Sequence, residues 1–317
     1  MLSLLGLDPD TYSTHRLHDA DRDYPETNCY TDILIELVHA SGHEPLAALG
    51  GTVRTDFEGD QWTFFKPERQ DLERLFGIDI HEMQLYRPLH EHAVEQLRHG
   101  RSMIVELDSW YLPDTQSTAY RREHVKSSAV IEGIDVAGER LRYFHNAGLY
   151  ELDGADFRGV LRLDAPSDEG MLPPYAEIVR FDAGPAHRGG DLRELARELL
   201  REHVAYVPST NPFTRFGASL AETLPELLQG DHAGYHAYAF ATVRQAGSSF
   251  ASCATYLEWL FDERARDAAA ALSRIVADSK ILSFKLARRR PFEIEPACAK
   301  LAADWDEAMT RVAALCL

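Results

Sequence analysis

Cys29 stands where a thiol can act as a nucleophile. It opens a segment in which the apolar residues recur with the 3.6-residue period of a helix that faces a core. Thr27 or Asn28 is expected to cap this helix, and Gly42 to end it. The free N–H groups and the dipole at a helix start favour the thiolate over the thiol. The sequence therefore predicts a nucleophile at Cys29, the alternative being an inert buried cysteine.

A thiolate nucleophile needs a base, and His124 is placed to serve as one. It precedes the first arm of a predicted hairpin, residues 125–135, and the second arm, residues 140–146, ends in Asn146. A cysteine at a helix start, a histidine at a strand start and an amide at the end of the next strand follow the chain order of known thiol sites. Asn146 would orient the His124 imidazole, with His145 as the alternative.

The register of this hairpin leaves the orienting residue open. A regular ladder that turns at residues 137–138 pairs residue i with residue 275 − i, which sets His124 opposite Glu151. Asn146 would then lie five residues along the strand, about 16 Å away and beyond hydrogen-bond reach. Either a bulge or curl in the ladder brings Asn146 closer, or Glu151 orients the imidazole.

Short strand patterns dominate the first part of the chain. Residues 102–108 form an apolar run of strand length, and residues 177–181 form another candidate strand. Together with the hairpin, these patterns predict an α+β domain with an antiparallel sheet over residues 1–184.

Helical periods dominate the rest of the chain. They begin at Asp191, and one such pattern runs from residue 254 to residue 275. Residues 185–317 are therefore predicted to form a mainly helical domain. The boundary is expected in the glycine-rich stretch 184–190.

The charge balance argues against several classes of partner. Acidic residues outnumber basic ones by 51 to 33, which gives a net charge of −18 at pH 7. Nucleic acids and anionic membranes attract a surplus of Lys and Arg, so neither is expected as a partner. The sequence has no run of 18 apolar residues that could span a bilayer. The cytoplasm is the expected location.

The cysteines and histidines show no metal-binding pattern. The four cysteines lie far apart without a C-x-x-C pair, so neither a disulfide framework nor a thiolate zinc site is expected. His90 and His92 are two residues apart, a spacing that directs them to different faces of a helix. No metal site is therefore expected.

Several segments together resemble a known group of enzymes. The segments are Asn28-Cys29-Tyr30 before an apolar helix, residues 105–113, His124 before a strand with Gly133-Ile134-Asp135, and residues 143–148. They resemble the bacterial papain-like acyltransferases typified by the N-terminal domain of the butirosin aminoacyl-transfer enzyme. Bacteriocin-processing peptidases share the last segment, with Asp-Pro in place of His145-Asn146. The whole chain is most similar to an uncharacterised bacterial family of this group, marked by its Tyr-Phe-His-Asn-Ala-Gly stretch.

This resemblance implies a papain-like fold and a reaction. Such enzymes move an acyl or aminoacyl group from a carrier-protein thioester to an amine. Cys29 would hold the acyl group as a thioester, and His124 would act as the base. No cofactor of the chain's own is implied. The phosphopantetheine arm of an acyl carrier protein would deliver the acyl group, and a small molecule would supply the acceptor amine.

Three further residues are expected to contact the substrate. Papain-like enzymes often place a glutamine six residues before the nucleophile as an oxyanion donor, but Asp23 occupies that position. The oxyanion would therefore depend on the backbone N–H of Cys29 and on the side chain of Asn28. Asp108 and Tyr111 follow a predicted strand and are expected to line the substrate pocket.

Two other functions stay open at this point. A thiol peptidase or amidase would use the same residues with water as the acceptor. A binding module would keep the fold without the chemistry, and Asp23 in place of glutamine favours this alternative.

An acidic carrier protein would need a local basic surface on this acidic chain. The densest basic segment spans residues 280–290, where Lys280, Lys285 and the arginines at 288–290 are expected to face the partner. The alternative is a solvated basic helix end that balances the helix dipole. The apolar members of the segment are expected to pack inward: Ile281, Leu282, Phe284 and Leu286.

Overall fold

The computed structural model describes residues 1–164, 172–181 and 191–317. The chain forms two compact units. The first comprises Met1–Ala20, Asn28–Pro45 and Arg69–Arg188, and the second comprises Asp21–Thr27, Leu46–Glu68 and Gly189–Leu317. The boundary expected at residues 184–190 lies outside the described residues. The second unit also includes two segments that precede residue 69. The two units are therefore not separated by the single boundary that the sequence pattern predicts.

An antiparallel sheet forms the centre of the first unit. Within the described residues its strands are β1 (Leu2–Ser3), β2 (Asp79–Glu82), β3 (Ser102–Asp108), β4 (Lys126–Asp135), β5 (Arg140–His145), β6 (Gly148–Asp153) and β7 (Ala176–Arg180). Their order is β2-β7-β3-β4-β5-β6, and β1 pairs with β4. Every described pair is antiparallel. The strand expected at residues 102–108 and the β4–β5 hairpin are confirmed.

Four α-helices accompany the sheet in the described part of the first unit. They are α1 (Cys29–Ala40), α2 (Arg69–Phe76), α3 (Leu89–Arg98) and α4 (Gly154–Val160). The start of α1 is as expected, because Oδ1 of Asn28 accepts a hydrogen bond from the backbone N–H of Thr31 at 3.0 Å. Gly42 follows the helix with a φ of +82°, a left-handed conformation that glycine adopts without strain. The apolar face of α1 packs against β4 and β5.

A bulge in β4 shifts the register of the hairpin. Near the turn the partners follow the expected 275 − i rule, as in Asp135 with Arg140, but farther along they follow 274 − i, as in Ala129 with His145. Glu132 is the extra residue at this shift. It is fully buried, and its Oε1 accepts hydrogen bonds from the backbone N–H groups of Leu5 and Gly6 at 3.1 and 3.0 Å. The bulge therefore also anchors the N-terminal segment.

The second arm of the hairpin is shorter than expected. The chain turns at Asn146, whose φ is +45°, and returns as β6 beside β5. Glu151 consequently pairs with Arg142 and binds its guanidinium at 2.8 Å. The expected alignment of His124 with Glu151 is therefore wrong.

The described part of the second unit is mainly helical. Its α-helices are α5 (Leu192–Val204), α6 (Pro212–Gln229), α7 (His232–Ala239), α8 (Gln245–Phe261), α9 (Arg266–Ala287) and α10 (Ile294–Leu315). Asp191 caps α5, and Oδ1 of Asn211 caps α6 by accepting from the backbone N–H of Phe213 at 3.0 Å. The helical pattern expected across residues 254–275 is interrupted, because Asp262 has a φ of +49° and ends α8.

The exposed side of α9 differs from the expected one. Leu282 and Leu286 are buried, but Ile281 and Phe284 are 51% and 67% exposed. The expectation that all four pack inward is wrong. Residues 282 and 286 are four apart and share the core-facing stripe, whereas residues 281 and 284 lie on a neighbouring face of the helix.

The architecture is therefore α+β, with an antiparallel sheet and helices followed along the chain by a helical region. Across the described ranges, none of the helices combines the length and the apolar character that a membrane span requires.

A buried ionic cluster lies between α1 and the segment that precedes it. His18 Nδ1 is 2.5 Å from Glu36 Oε1, and His18 Nε2 is 3.6 Å from Asp32 Oδ1. Tyr12 donates to the other oxygen of Glu36 at 2.5 Å. Burial opposes a charge on the imidazole, but Asp32 and Glu36 outweigh burial and raise the pKa of His18 to about 9. A buried cation thus lies between two buried carboxylates of α1.

The free energy of unfolding is expected to fall as the pH rises from 6.5 to 9. The pKa of His18 is 6.5 when unfolded and about 9 when folded, so its stabilising contribution is complete below pH 6.5 and is lost as the pH passes 9. His18→Gln should lower the free energy of unfolding by about 3–5 kcal/mol at pH 6, because it leaves two buried carboxylates without their cation. Guanidinium titrations at several pH values measure both effects.

The matched control for this prediction is His99→Gln, at the exposed end of α3. It should change the free energy of unfolding by less than about 0.5 kcal/mol. An unchanged pH slope in His18→Gln would show that another group carries the dependence.

Candidate functional site

Asp108 and His124 lie at the two ends of one connection. β3 ends at Asp108, which pairs with Lys126 at the start of β4. The pairing continues past the strands, because the backbone N–H of Ser109 donates to the carbonyl of Val125 at 2.9 Å. The register of β3 and β4 thus brings the side chain of His124 beside that of Asp108.

The imidazole of His124 is held from two sides. Its Nδ1 lies 2.7 Å from Asp108 Oδ2, and its ring stacks on Trp110 with centroids 4.6 Å apart. The other carboxylate oxygen of Asp108 accepts from the backbone N–H of Trp110 at 3.0 Å. Because Nδ1 is engaged, Nε2 remains to exchange a proton with a ligand. The side chain of His124 is 65% exposed, as a general base that meets substrate must be.

This pair contributes to the wall of a cavity of about 1050 Å³. Such a volume lies at the upper limit of small-molecule sites. Asp108, Tyr111 and His124, which the sequence assigns to the substrate and the base, all line it. The remaining wall comes from residues 85–90 at the start of α3, from Glu106 and Leu107 of β3, from α4 with the turn that follows it, and from Pro173 and Pro174. The cavity therefore lies within the first unit.

The cavity wall carries three arginines and the three carboxylates of Glu106, Asp108 and Asp164. Arg158 is paired with Glu139 and Asp164. Among the described residues, Arg87 and Arg162 form no ion pair with a carboxylate. Guanidinium groups that are not neutralised attract phosphate or carboxylate groups. Arg87 and Arg162 are thus the groups of the wall that are suited to an anionic part of a ligand.

Tyr111 can line the cavity because Gly159 of α4 leaves room for its ring. Its ring lies against Gly159, where a Cβ atom would overlap the ring carbons. Gly159 lies inside a helix, a position where alanine is ordinarily the more favourable residue. The packing of Tyr111 against α4 accounts for the glycine.

Cys29 is the first residue of α1 and is partly exposed. The capping of α1 by Asn28 fixes this end of the helix, and Tyr30 fixes it further by donating to Glu177 Oε2 on β7 at 2.6 Å. In the described part of the chain, Cys29 Sγ has no hydrogen bond to an imidazole, and Cys29 does not line the cavity. The structure thus brings Asp108, Tyr111 and His124 together and sets Cys29 and Asn28 at a separate position.

His145 occupies a third position, on β5. Its Nδ1 lies 2.5 Å from Asp114 Oδ2, and its Nε2 lies 2.6 Å from Ser127 Oγ. Asn146 is the next residue, at the turn into β6. The residue that orients His124 is therefore Asp108, and His145 belongs to a separate hydrogen-bonded group.

Few features of the sequence indicate that Asp114 and Ser127 are partners of His145. Asp114 lies in a short 3-10 turn, Pro113–Thr115, and Ser127 is one of two adjacent serines in β4. The alternation that sets Tyr143 and His145 on one face of β5 indicates which side of the sheet to search. The partners on that face become visible only in the register of the strands.

No group of three or more His, Cys, Asp or Glu side chains that could hold a metal ion occurs in the described ranges.

Two protein-family models match the chain. Residues 13–181 match the DUF1839 N-terminal domain, and residues 190–314 match the DUF1839 C-terminal domain. The chain belongs to the DUF1839 family. The cavity and its Asp108–His124 pair fall within the residues of this protein that match the DUF1839 N-terminal domain. No curated protein matches the chain.

Gly159→Ala is expected to destabilise this DUF1839 protein by about 1–3 kcal/mol, because the added methyl group displaces Tyr111. A helical glycine without such a neighbour would gain stability from the same change. Urea denaturation measures the difference. The matched control is Gly230→Ala, where an added Cβ makes only ordinary contacts and the change should be within about 0.5 kcal/mol of zero. A stabilised Gly159→Ala would contradict the assigned packing.

Iodoacetamide at pH 6.5 is expected to alkylate Cys29 before the other three cysteines. Burial raises the pKa of Cys253 to about 12 and that of Cys298 to about 11, and it also raises the pKa of Cys316. Cys29 is partly exposed at a helix N-terminus. Peptide mass spectrometry over a time course measures the order, and Cys29→Ser removes the fast phase. Even labelling of the four cysteines would contradict a reactive Cys29.

Proposed function

We propose that this DUF1839 protein is a papain-like acyltransferase that moves an acyl group from a carrier-protein thioester to an amine. The observation that carries the proposal is the His124–Asp108 pair, an exposed imidazole oriented by a carboxylate at the wall of a large cavity. The resemblance of the segments around Cys29 and His124 to papain-like acyltransferases supports the reaction class.

In the proposed reaction, the acceptor amine binds in the cavity and attacks the acyl carbonyl carbon. A C–N bond forms while the C–S bond of the thioester breaks. Nε2 of His124 takes the proton from the attacking nitrogen and gives it to the departing thiolate, so the reaction is balanced without another reactant. Asp108 holds the ring in the tautomer that leaves Nε2 free to accept, and it stabilises the imidazolium that forms.

The donor fits the cavity in size, and two arginines of the wall are suited to its phosphate. A volume of about 1050 Å³ accommodates an extended thioester arm together with a small amine. Arg87 and Arg162 are suited to the phosphate of a phosphopantetheine arm. We place the reaction in the cytoplasm, which the four unpaired cysteines support.

Two routes lead from the thioester to the amide. In the direct route the amine attacks the carrier-bound thioester. In the covalent route the acyl group first passes to Cys29, and the capped N-terminus of α1 with its partly exposed thiol favours this route. His124 is the base that acts on the amine in the direct route, because His124 lines the cavity and Cys29 does not.

The experiment uses S-acetylpantetheine as donor and glycinamide as acceptor, with amide formation followed by mass spectrometry. His124→Gln should lower kcat by about 10²–10⁴-fold, because proton transfer from the amine is lost. Asp108→Asn should also lower kcat, since the ring loses its orienting carboxylate. His99→Gln, an exposed histidine away from the cavity wall, is the matched control and should retain the activity.

Cys29→Ser separates the two routes. Loss of amide formation together with an acetyl group found on wild-type Cys29 supports the covalent route, and full retention supports the direct route. Release of acetate without amide would indicate a thiol amidase or hydrolase instead. Equal rates in wild type and His124→Gln would reject the proposed role of the cavity, and binding of S-acetylpantetheine without turnover would identify a binding module.

A further inference from the structure

Four side chains of the first unit form a continuous hydrogen-bonded chain apart from the His124 pair. Ser127 Oγ lies 2.6 Å from His145 Nε2, and His145 Nδ1 lies 2.5 Å from Asp114 Oδ2. Tyr143 donates to the other oxygen of Asp114 at 2.6 Å. Because the carboxylate accepts from Nδ1–H, Nε2 is the acceptor for the hydroxyl hydrogen of Ser127. A hydroxyl, an imidazole and a carboxylate linked in this order form the arrangement that activates a serine nucleophile.

The base and the carboxylate of this hydrogen-bonded chain have buried side chains. The side chains of His145 and Asp114 are 1% and 4% exposed. Ser127 and Asp114 are both partly exposed as whole residues. The base and its orienting carboxylate are thus shielded from water.

The hydroxyl also lies close to the cavity. Leu107 is the register partner of Ser127, and Leu107 lines the cavity wall. The Cβ atoms of directly opposed residues are about 4.5–5.5 Å apart. Ser127 is therefore the cross-strand neighbour of a residue of the cavity wall.

We propose that Ser127 is an acylatable nucleophile, with His145 as its base and Asp114 as the orienting carboxylate, and that the group hydrolyses thioesters or activated esters. Ser127 Oγ attacks the acyl carbonyl and forms a C–O bond, the bond to the thiolate or alkoxide breaks, and the hydroxyl proton passes through His145 to the leaving group. Water then attacks the acyl-serine, gives its proton to His145, and Ser127 recovers the proton. Water is the only other reactant.

The oxyanion of this reaction needs hydrogen-bond donors. Asn146 directly follows His145 in the turn, with a φ of +45°. Among the described residues its side-chain amide has no hydrogen-bond partner. Asn146 is therefore the side chain to substitute when the oxyanion donor is sought.

The test is the reaction of the native chain with a fluorophosphonate probe, followed by intact-mass and peptide mass spectrometry. The expected result is one adduct, located on Ser127 and absent from Ser127→Ala. His145→Gln should slow the labelling by about 10²–10⁴-fold. Ser128→Ala is the matched control, because the neighbouring serine points to the opposite face of β4 and should not affect labelling.

Phenyl thioacetate hydrolysis provides a second readout, with Ser127→Ala expected to lose it and Cys29→Ser to retain it. Labelling absent from Ser127 in the wild type, or labelling unchanged in His145→Gln, would overturn the inference and assign the cluster to structure alone. The wild-type result decides even where a variant fails to fold. The inference is independent of the proposed acyltransferase, since Cys29→Ser and His124→Gln test that function and leave Ser127 labelling unaffected.

Discussion

One extra residue in β4 decides which side chains of the central sheet share a face. Without the shift at Glu132, the regular hairpin would oppose His145 to Val130, and strand alternation would direct the imidazole to the face that bears Phe144 in the observed structure. With the shift, His145 is opposite Ala129 and shares a face with Ser127. The buried carboxylate of Glu132 stabilises the bulge by accepting hydrogen bonds from the N-terminal segment. The Ser127–His145–Asp114 group therefore depends on a local irregularity of one strand.

The connection between β3 and β4 depends on the same sheet. Its two ends meet because β3 and β4 are antiparallel neighbours, and this meeting pairs Asp108 with His124. Its middle is held by Asp114, which binds His145 of β5. A single connection thus supplies the orienting carboxylate for each of two imidazoles, and the order of the strands keeps these imidazoles at separate positions.

The helix that begins at Cys29 is fixed by polar as well as apolar contacts. Its N-terminus is capped by Asn28, and Tyr30 holds the first turn to Glu177 of β7. Farther along, Asp32 and Glu36 enclose the protonated His18. Such a buried pair is costly to break, because removal of one partner leaves a charge without compensation. The position of the thiol is therefore set by interactions at the start and in the middle of α1.

Local patterns in the sequence were sufficient to predict several elements. The start of α1, the strand at residues 102–108, the β4–β5 hairpin and the change to helices rest on periodicity, caps and turn residues, which act over a few neighbouring positions. The sequence also singled out His124, Asp108 and Tyr111. It did not indicate that Asp108 holds His124, that Glu151 lies on a separate strand, or that Ser127 and Asp114 join His145. Those relations depend on strand order and on a one-residue bulge, and contacts between residues far apart in the chain are decided only when the sheet assembles.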